Sequence, residues 1–467
     1  MGDAVRVISI HVVALFFVVF MMSAFSASIS TADTEAADSS ALMSENNIMH
    51  VKSNKSEEFC SSASCNQCHE RIFEEYADSM HAKSFSNPVF QAQYFREVLP
   101  RVKEKDMYRE ANGCIACHSP IEYLTGDRMV TSREQVEARL SGVGCDVCHT
   151  MTGYRGTKPG NGHYVLKPGS QKYGPFKCKK QHHHEYAEFQ TRSEFCAVCH
   201  SADNHNGFEI KSTYSEWKES KYAVDGIQCQ DCHMNLMGFL KLGVPEYESG
   251  KAALTTTVLR PPFREKLFSH RFPGAHSRTQ LTWSLHLQME TELISASPGD
   301  EVTVHVQVDN SGTGHKMPSG SSELRLLWIE LKAHDGGRTI PVPVSSGYEV
   351  NGAYEVSGRG ERDSEILKED VPDGSRIYRT ILVDKEGKQT LSSYEAVKVL
   401  FDNRLSAGEI RKETYHFRIP QDAEGKVFLS ATLKYLPYPS FFAQRLGQPK
   451  PKPVEIASSS IDITIDQ

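Results

Sequence analysis

The chain has no excess of positive charge. Its 52 Lys and Arg are outnumbered by 59 Asp and Glu, a formal net charge of −7. Nothing in that balance suggests binding to nucleic acid. After Met22 there is no second apolar run of spanning length, so only the leader invites a membrane reading. No cysteine precedes Cys60, which argues against a lipidated N-terminus.

The leader itself has Arg6, an apolar run from Val7 to Met22, and Ala24-Phe25-Ser26, with small residues where a signal peptidase reads. Residues 1–27 therefore read as a cleaved secretory signal, with an uncleaved anchor as the alternative. Residues 28–58 are polar and of low complexity, and read as a disordered linker.

Ten of the twelve cysteines fall in five Cys-x-x-Cys-His motifs. They are Cys65, Cys68 and His69; Cys114, Cys117 and His118; Cys145, Cys148 and His149; Cys196, Cys199 and His200; and Cys229, Cys232 and His233. Two thiols one helical turn apart suit the two vinyl groups of a porphyrin, and the adjacent imidazole suits its iron. Zinc sites use paired CxxC, but they do not need a His after every second Cys. A disulfide framework belongs to much shorter chains. The expected cofactors are five c-type haems, whose propionates make the holoprotein more acidic than the sequence alone. The two remaining cysteines, Cys60 and Cys178, either pair or stay as separate thiols.

The first cysteines of successive motifs stand 49, 31, 51 and 33 residues apart, an alternation suggesting a repeated two-haem unit. EEYADSMHA (74–82) also aligns with SEWKESKYA (215–223), sharing Glu75/Glu216, Ser79/Ser220 and Ala82/Ala223, with Tyr222 in place of His81. After the first motif, Ile72, Phe73, Tyr76, Ala77 and Met80 recur with helical period. Elsewhere in 59–279, Gly, Pro and Lys are frequent and regular structure looks sparse.

From residue 280 the period changes to two. Leu281, Trp283, Leu285, Leu287 and Met289 alternate, as do Val302, Val304, Val306 and Val308. Further strand-like runs are 324–331, 376–383, 413–419 and 427–435, and Ser297-Pro298-Gly299-Asp300 is a turn signal. The expected fold is a mainly α and irregular multihaem cytochrome c domain (59–279) followed by an all-β sandwich of immunoglobulin-like type (280–467).

Fifteen histidines lie outside the motifs. His11 is in the leader and His50 in the linker, while His286, His305, His334 and His416 lie in the β region without a haem-like context. Nine candidates remain for sixth ligands: His81, His163, His182, His183, His184, His205, His270, His276 and His315. His81, one of the 182–184 run (His183), His270, His276 and His315 are the preferred set. His81 lies twelve residues after His69. On an unbroken helix that is about 18 Å, so His81 should serve a different motif's haem. His315 sits in a Gly- and Pro-shaped loop that would bring an imidazole from the β region. Met234 and Met317 are alternative ligands.

The segments SCNQCHERIFEEYADSMHA, GVGCDVCHTMTG, FCAVCHSADNHNG and TYSEWKESKYAVDGIQCQDCHM resemble exported multihaem cytochromes of the cytochrome c-554 and hydroxylamine oxidoreductase superfamily, over roughly residues 60–440. FPGAH and NSGTGHKMPSG look like segments of members with a C-terminal β domain. The resemblance implies closely stacked haems passing electrons along a chain, with His81, His276 and His315 as distal ligands. The chain departs from the four haems of the c-554 type and the eight of hydroxylamine oxidoreductases, and it has no CxxCK.

Three functions follow as expectations. The first is an electron carrier with every iron capped. The second is a redox enzyme on a small nitrogen or sulfur compound at one open haem, with the 182–184 histidines and Tyr222 as proton donors. The third is a surface conduit docking through its β domain. The expected partners are basic redox proteins or other multihaem cytochromes, in the periplasm or at the cell surface, with no stable membrane insertion once the leader is removed.

Overall fold

The motif-bearing region is built from short helices joined by turns and small hairpins. The computed structural model describes residues 55–126, 128–177, 184–240, 243–256, 260–275, 277–342, 355–357 and 364–466. The leader, residues 28–54 of the linker, Cys178, His182, His183 and His276 lie outside the described residues.

Four motifs close helices: Lys105–His118, Cys145–His149, Glu194–His200 and Cys229–His233. A helical turn brings residues i and i+3 onto one face, which is what the two thiols require. The first motif differs. One helix, Ser62–Cys65, ends on its first thiol, and the next, Glu70–Ala77, begins just after His69. That second helix stops at Ala77, so the helical periodicity does not carry through to Met80.

The C-terminal region is β-rich. A six-stranded sheet runs Ser295–Ala296, Val454–Ile465, Lys426–Leu436, Leu326–Asp335 and Arg338–Ile340, with Arg376–Tyr378 also on Leu326–Asp335. A three-stranded sheet runs Ile410–Arg418, Glu301–Asp309 and His286–Thr291. Within Glu301–Asp309 the four alternating valines are fully buried. They pack with Leu327, Ile329, Leu429 and Leu433 of the larger sheet in one core, so the two sheets face each other.

Two expectations change. Leu281 and Trp283 lie on a helix, Arg278–Ser284, because the Ser277 side chain accepts from the Gln280 N–H and caps it. Only His286–Thr291 of that run is strand. The 376–383 run divides at Arg379, its second part, Thr380–Val383, joining a third sheet with Gln389–Thr390 and Lys398–Asp402. The longest strand among the described residues, Val454–Ile465, has its apolar alternation interrupted by Ala457-Ser458-Ser459-Ser460 and was not among the expected runs.

The described residues belong to one compact unit. Tyr394 from the β-rich region joins the core of Phe85, Tyr94, Val98, Met107 and Ile115, and its hydroxyl donates to Glu97 at 3.2 Å. Asn204 donates to the carbonyls of Ser393 and Ala396 at 3.0 and 2.7 Å. Deeper in the junction, Arg404 pairs with Glu216 at 2.8 Å and with Asp402 at 2.9 Å, and Asp402 pairs with Lys316 at 2.9 Å. Buried charges persist only when paired in this way. Among the described residues no helix is long and apolar enough to cross a membrane.

Burial pushes the Asp402 carboxyl up, but Arg404 and then Lys316 outweigh it and hold it at about 2. A depressed carboxylate contributes its stability above its ordinary value and loses it as pH falls through the folded one. Hydrogen-exchange protection factors of the 310–320 and 400–405 segments, taken against the intrinsic rate at each pH, should therefore fall as pH drops from about 4 to about 2. Asp402→Asn should show the lower protection already at neutral pH, and a protection profile against pH unchanged from wild type in that variant would contradict this assignment.

Candidate haem-ligating site

Three motif histidines face a second imidazole. His81 and His200 have ring centroids 6.2 Å apart, His149 and His270 6.4 Å, and His233 and His315 6.4 Å. The planes of the last two pairs differ by 21° and 8°. A metal held by two imidazole nitrogens at about 2 Å each, with each nitrogen about 1 Å from its ring centre, sets the rings about 6 Å apart. The spacing fits an iron between each pair. In every pair the second ring comes from a different segment. The helix after the first motif does break, yet His81 still faces His200 rather than His69.

Backbone carbonyls select the tautomer. His118 Nδ1 lies 2.9 Å from Ser84 O, His149 Nδ1 2.8 Å from Tyr173 O, and His69 Nδ1 2.7 Å from Ala252 O. His270 Nδ1 lies 3.0 Å from Phe268 O, and His315 Nδ1 2.9 Å from Lys316 O. A carbonyl can only accept, so each Nδ1 carries the proton and leaves the Nε2 lone pair for a metal. His184 is turned the other way, its Nε2 committed to Phe176 O at 2.9 Å. His205 is held by Glu110 at 3.0 Å. His163 lines a cavity of about 190 Å³ with Arg155, Lys158 and Asp203. His118 stacks on Phe90 at 3.8 Å. His183 and His276 lie outside the described residues.

Electrostatics favour the neutral ligand. Burial, aided by the neighbouring imidazoles of His200, His270 and His233, lowers His81 to about 3. Burial likewise brings His118, His233 and His270 to about 4, and it lowers His149 and His200. Each then presents a lone pair at neutral pH without a proton to displace.

The thiols are grouped as well. Cys65 and Cys145, Cys117 and Cys199, and Cys196 and Cys229 lie within hydrogen-bond reach of each other. All eleven described cysteines are free. Thioether formation requires reduced cysteines, as these are, and burial pushes Cys114, Cys148 and Cys232 up to about 12.

Contacts unseen in the sequence reveal the true repeat. The Cys145 N–H donates to Ser62 Oγ, and the Cys229 N–H to Ser193 Oγ, both at 3.1 Å. The Val143 N–H donates to His81 O, and the Ile227 N–H to Tyr222 O, both at 2.9 Å. Gly142 and Gly226 precede these residues with φ +75° and +76°. The first motif thus corresponds to the fourth and the third to the fifth, with the second outside the duplication. The alternating spacings do not mark this unit, whereas the EEYADSMHA match does. Tyr222 takes the place of His81, packs on Gly314 and donates its hydroxyl to Ser311 O.

The comparisons agree with this geometry. Residues 64–150 match the family model described as cytochrome c554 and c-prime. No curated protein matches the chain. A penta-heme cytochrome c552 from Thermochromatium tepidum is 20% identical over 88% of this chain and 100% of its own, with a TM-score of 0.60, and shares the fold. The sporulation control protein Spo0M of Bacillus subtilis is 11% identical over 39% of this chain and 50% of its own, with a TM-score of 0.16. The N-terminal domain of the Streptococcus gordonii adhesin Sgo0707 is 13% identical over 39% and 33%, with a TM-score of 0.17. Neither of these last two bears on the fold or the function.

A Cβ at Gly142 would lie 2.5 Å from Ala82 O and 2.9 Å from His81 O, while one at Gly226 would meet nothing within 4 Å. Gly226→Ala should cost about 1 kcal/mol through its positive φ alone. Gly142→Ala should cost more and disturb His81. Denaturant unfolding of both variants checks this, and equal losses would contradict it.

Proposed function

We propose that this multihaem c-type cytochrome binds five haems and relays single electrons between partner proteins outside the cytoplasm. The observation that carries the reading is the three facing imidazole pairs, each joining separate segments at metal-spanning distance. A c-type haem, when bound, supplies reversible one-electron iron chemistry.

The chain's own residues do the rest. His69, His118, His149, His200 and His233 are the proximal ligands, and His81, His270 and His315 cap the irons of the fourth, third and fifth motifs. Backbone carbonyls hold the His69, His118, His149, His270 and His315 imidazoles in one tautomer, so those ligands need no reorganisation when charge arrives or leaves. The neighbouring thiols join the first motif to the third, and the fourth to both the second and the fifth. Tunnelling falls steeply with distance, and such grouping shortens each step. Export rests on the leader and on the usual attachment of c-type haems after translocation. The net charge of −7 supports a basic partner, docked by electrostatic steering.

The mature holoprotein should bind five haems by pyridine haemochrome assay, and four when Cys196 and Cys199 are both changed to Ala. Ferrous His81→Ala should take up carbon monoxide at about one haem per chain more than the unmodified protein. Equal uptake by the variant and the unmodified protein would overturn the assignment of His81 as a cap.

A further inference from the structure

The duplication places one carboxylate twice, and each copy holds a segment bearing a distal histidine. Glu75 lies in the helix after the first motif, and Glu216 in the helix Thr213–Lys218 after the fourth. Their side chains are only 8% and 7% exposed. Glu75 Oε2 accepts the backbone N–H of His270 at 2.7 Å, and Glu216 Oε2 accepts that of Lys316, next to His315, at 3.2 Å. The other oxygen of each carboxylate faces a guanidinium: Arg271 from Glu75 at 3.5 Å, and Arg404 from Glu216 at 2.8 Å. His270 faces His149 of the third motif and His315 faces His233 of the fifth, and these two motifs are equivalent in the duplication.

From this we propose that Glu75 and Glu216 are equivalent positioning residues, each fixing the distal imidazole of the motif paired with its own. In the first unit the clamped segment is Ser269-His270-Arg271, directly after the motif region. In the second unit it is the loop of the β-rich region, where Ser319 Oγ also donates to Glu216 at 3.3 Å. A buried carboxylate suits the task because its hydrogen bonds are charge-assisted and its two oxygens can engage the backbone and a guanidinium together. The β-rich region thus completes the second unit with the same device that the motif region uses for the first.

The proposal rests on reading His270 and His315 as distal ligands, and the test separates the two. Full-length holoprotein would be prepared as Glu75→Ala, Glu216→Ala, Glu216→Gln, His270→Ala and His315→Ala. Haem content, the low-spin electron paramagnetic resonance signals and carbon monoxide uptake by the ferrous form would be compared. Each Glu→Ala variant should keep all its haems, lose part of one low-spin signal, and take up carbon monoxide at up to about one haem per chain. Glu216→Gln, which keeps an acceptor oxygen, should fall between wild type and Glu216→Ala, and it carries the test should the alanine variant fail to fold. If the histidine variants take up the gas while the folded glutamate variants match wild type, the positioning role is wrong and the ligand reading stands. If the histidine variants also match wild type, the ligand reading fails and the proposal fails with it.

Discussion

Six imidazoles in three facing pairs are the constraint on which the rest depends. Desolvation keeps His81, His149, His200, His233 and His270 neutral, and backbone carbonyls at Nδ1 of His149, His270 and His315 leave Nε2 of those rings free for a metal. The ring spacing of each pair suits one metal ion between them. With one, each pair becomes a cross-link between segments far apart in sequence: 81 with 200, 149 with 270, 233 with 315. Regular secondary structure in this region is short because these links, and the groups between them, stand where an apolar core would otherwise be.

The β-rich region is part of that arrangement. It sends His315 toward the fifth motif, Tyr394 into the apolar core around the second, and Arg404 to the buried Glu216. Tyr222 shows where the duplicated array ends. Its position in the first copy is His81, which reaches forward to the fourth motif; in the second copy the ring packs on the 311–314 loop instead. The loop that stops the array also completes its last ligand pair.

The attachment motifs were legible because covalent chemistry demands fixed residues at fixed short spacing. The alternating valines of 302–308 were legible because one sheet face is buried and the other is not. The Arg278–Ser284 helix was hidden by a leucine alternation that a single serine cap overrides, and Val454–Ile465 by the Ala457-Ser458-Ser459-Ser460 run that interrupts its apolar alternation. His81, His270 and His315 stood among the candidates, but their partners did not follow from the sequence, since ligand pairing is set by tertiary packing alone. Glu75 and Glu216 were visible as matched letters of a short repeat, without any sign that each would hold a backbone N–H beside a histidine.

The most direct measurement is anomalous scattering at the iron edge from crystals of the holoprotein. One iron should lie midway between His81 and His200, one between His149 and His270, and one between His233 and His315. An iron bound to His200, His149 or His233 whose opposite face is met by any other residue would contradict the pairing.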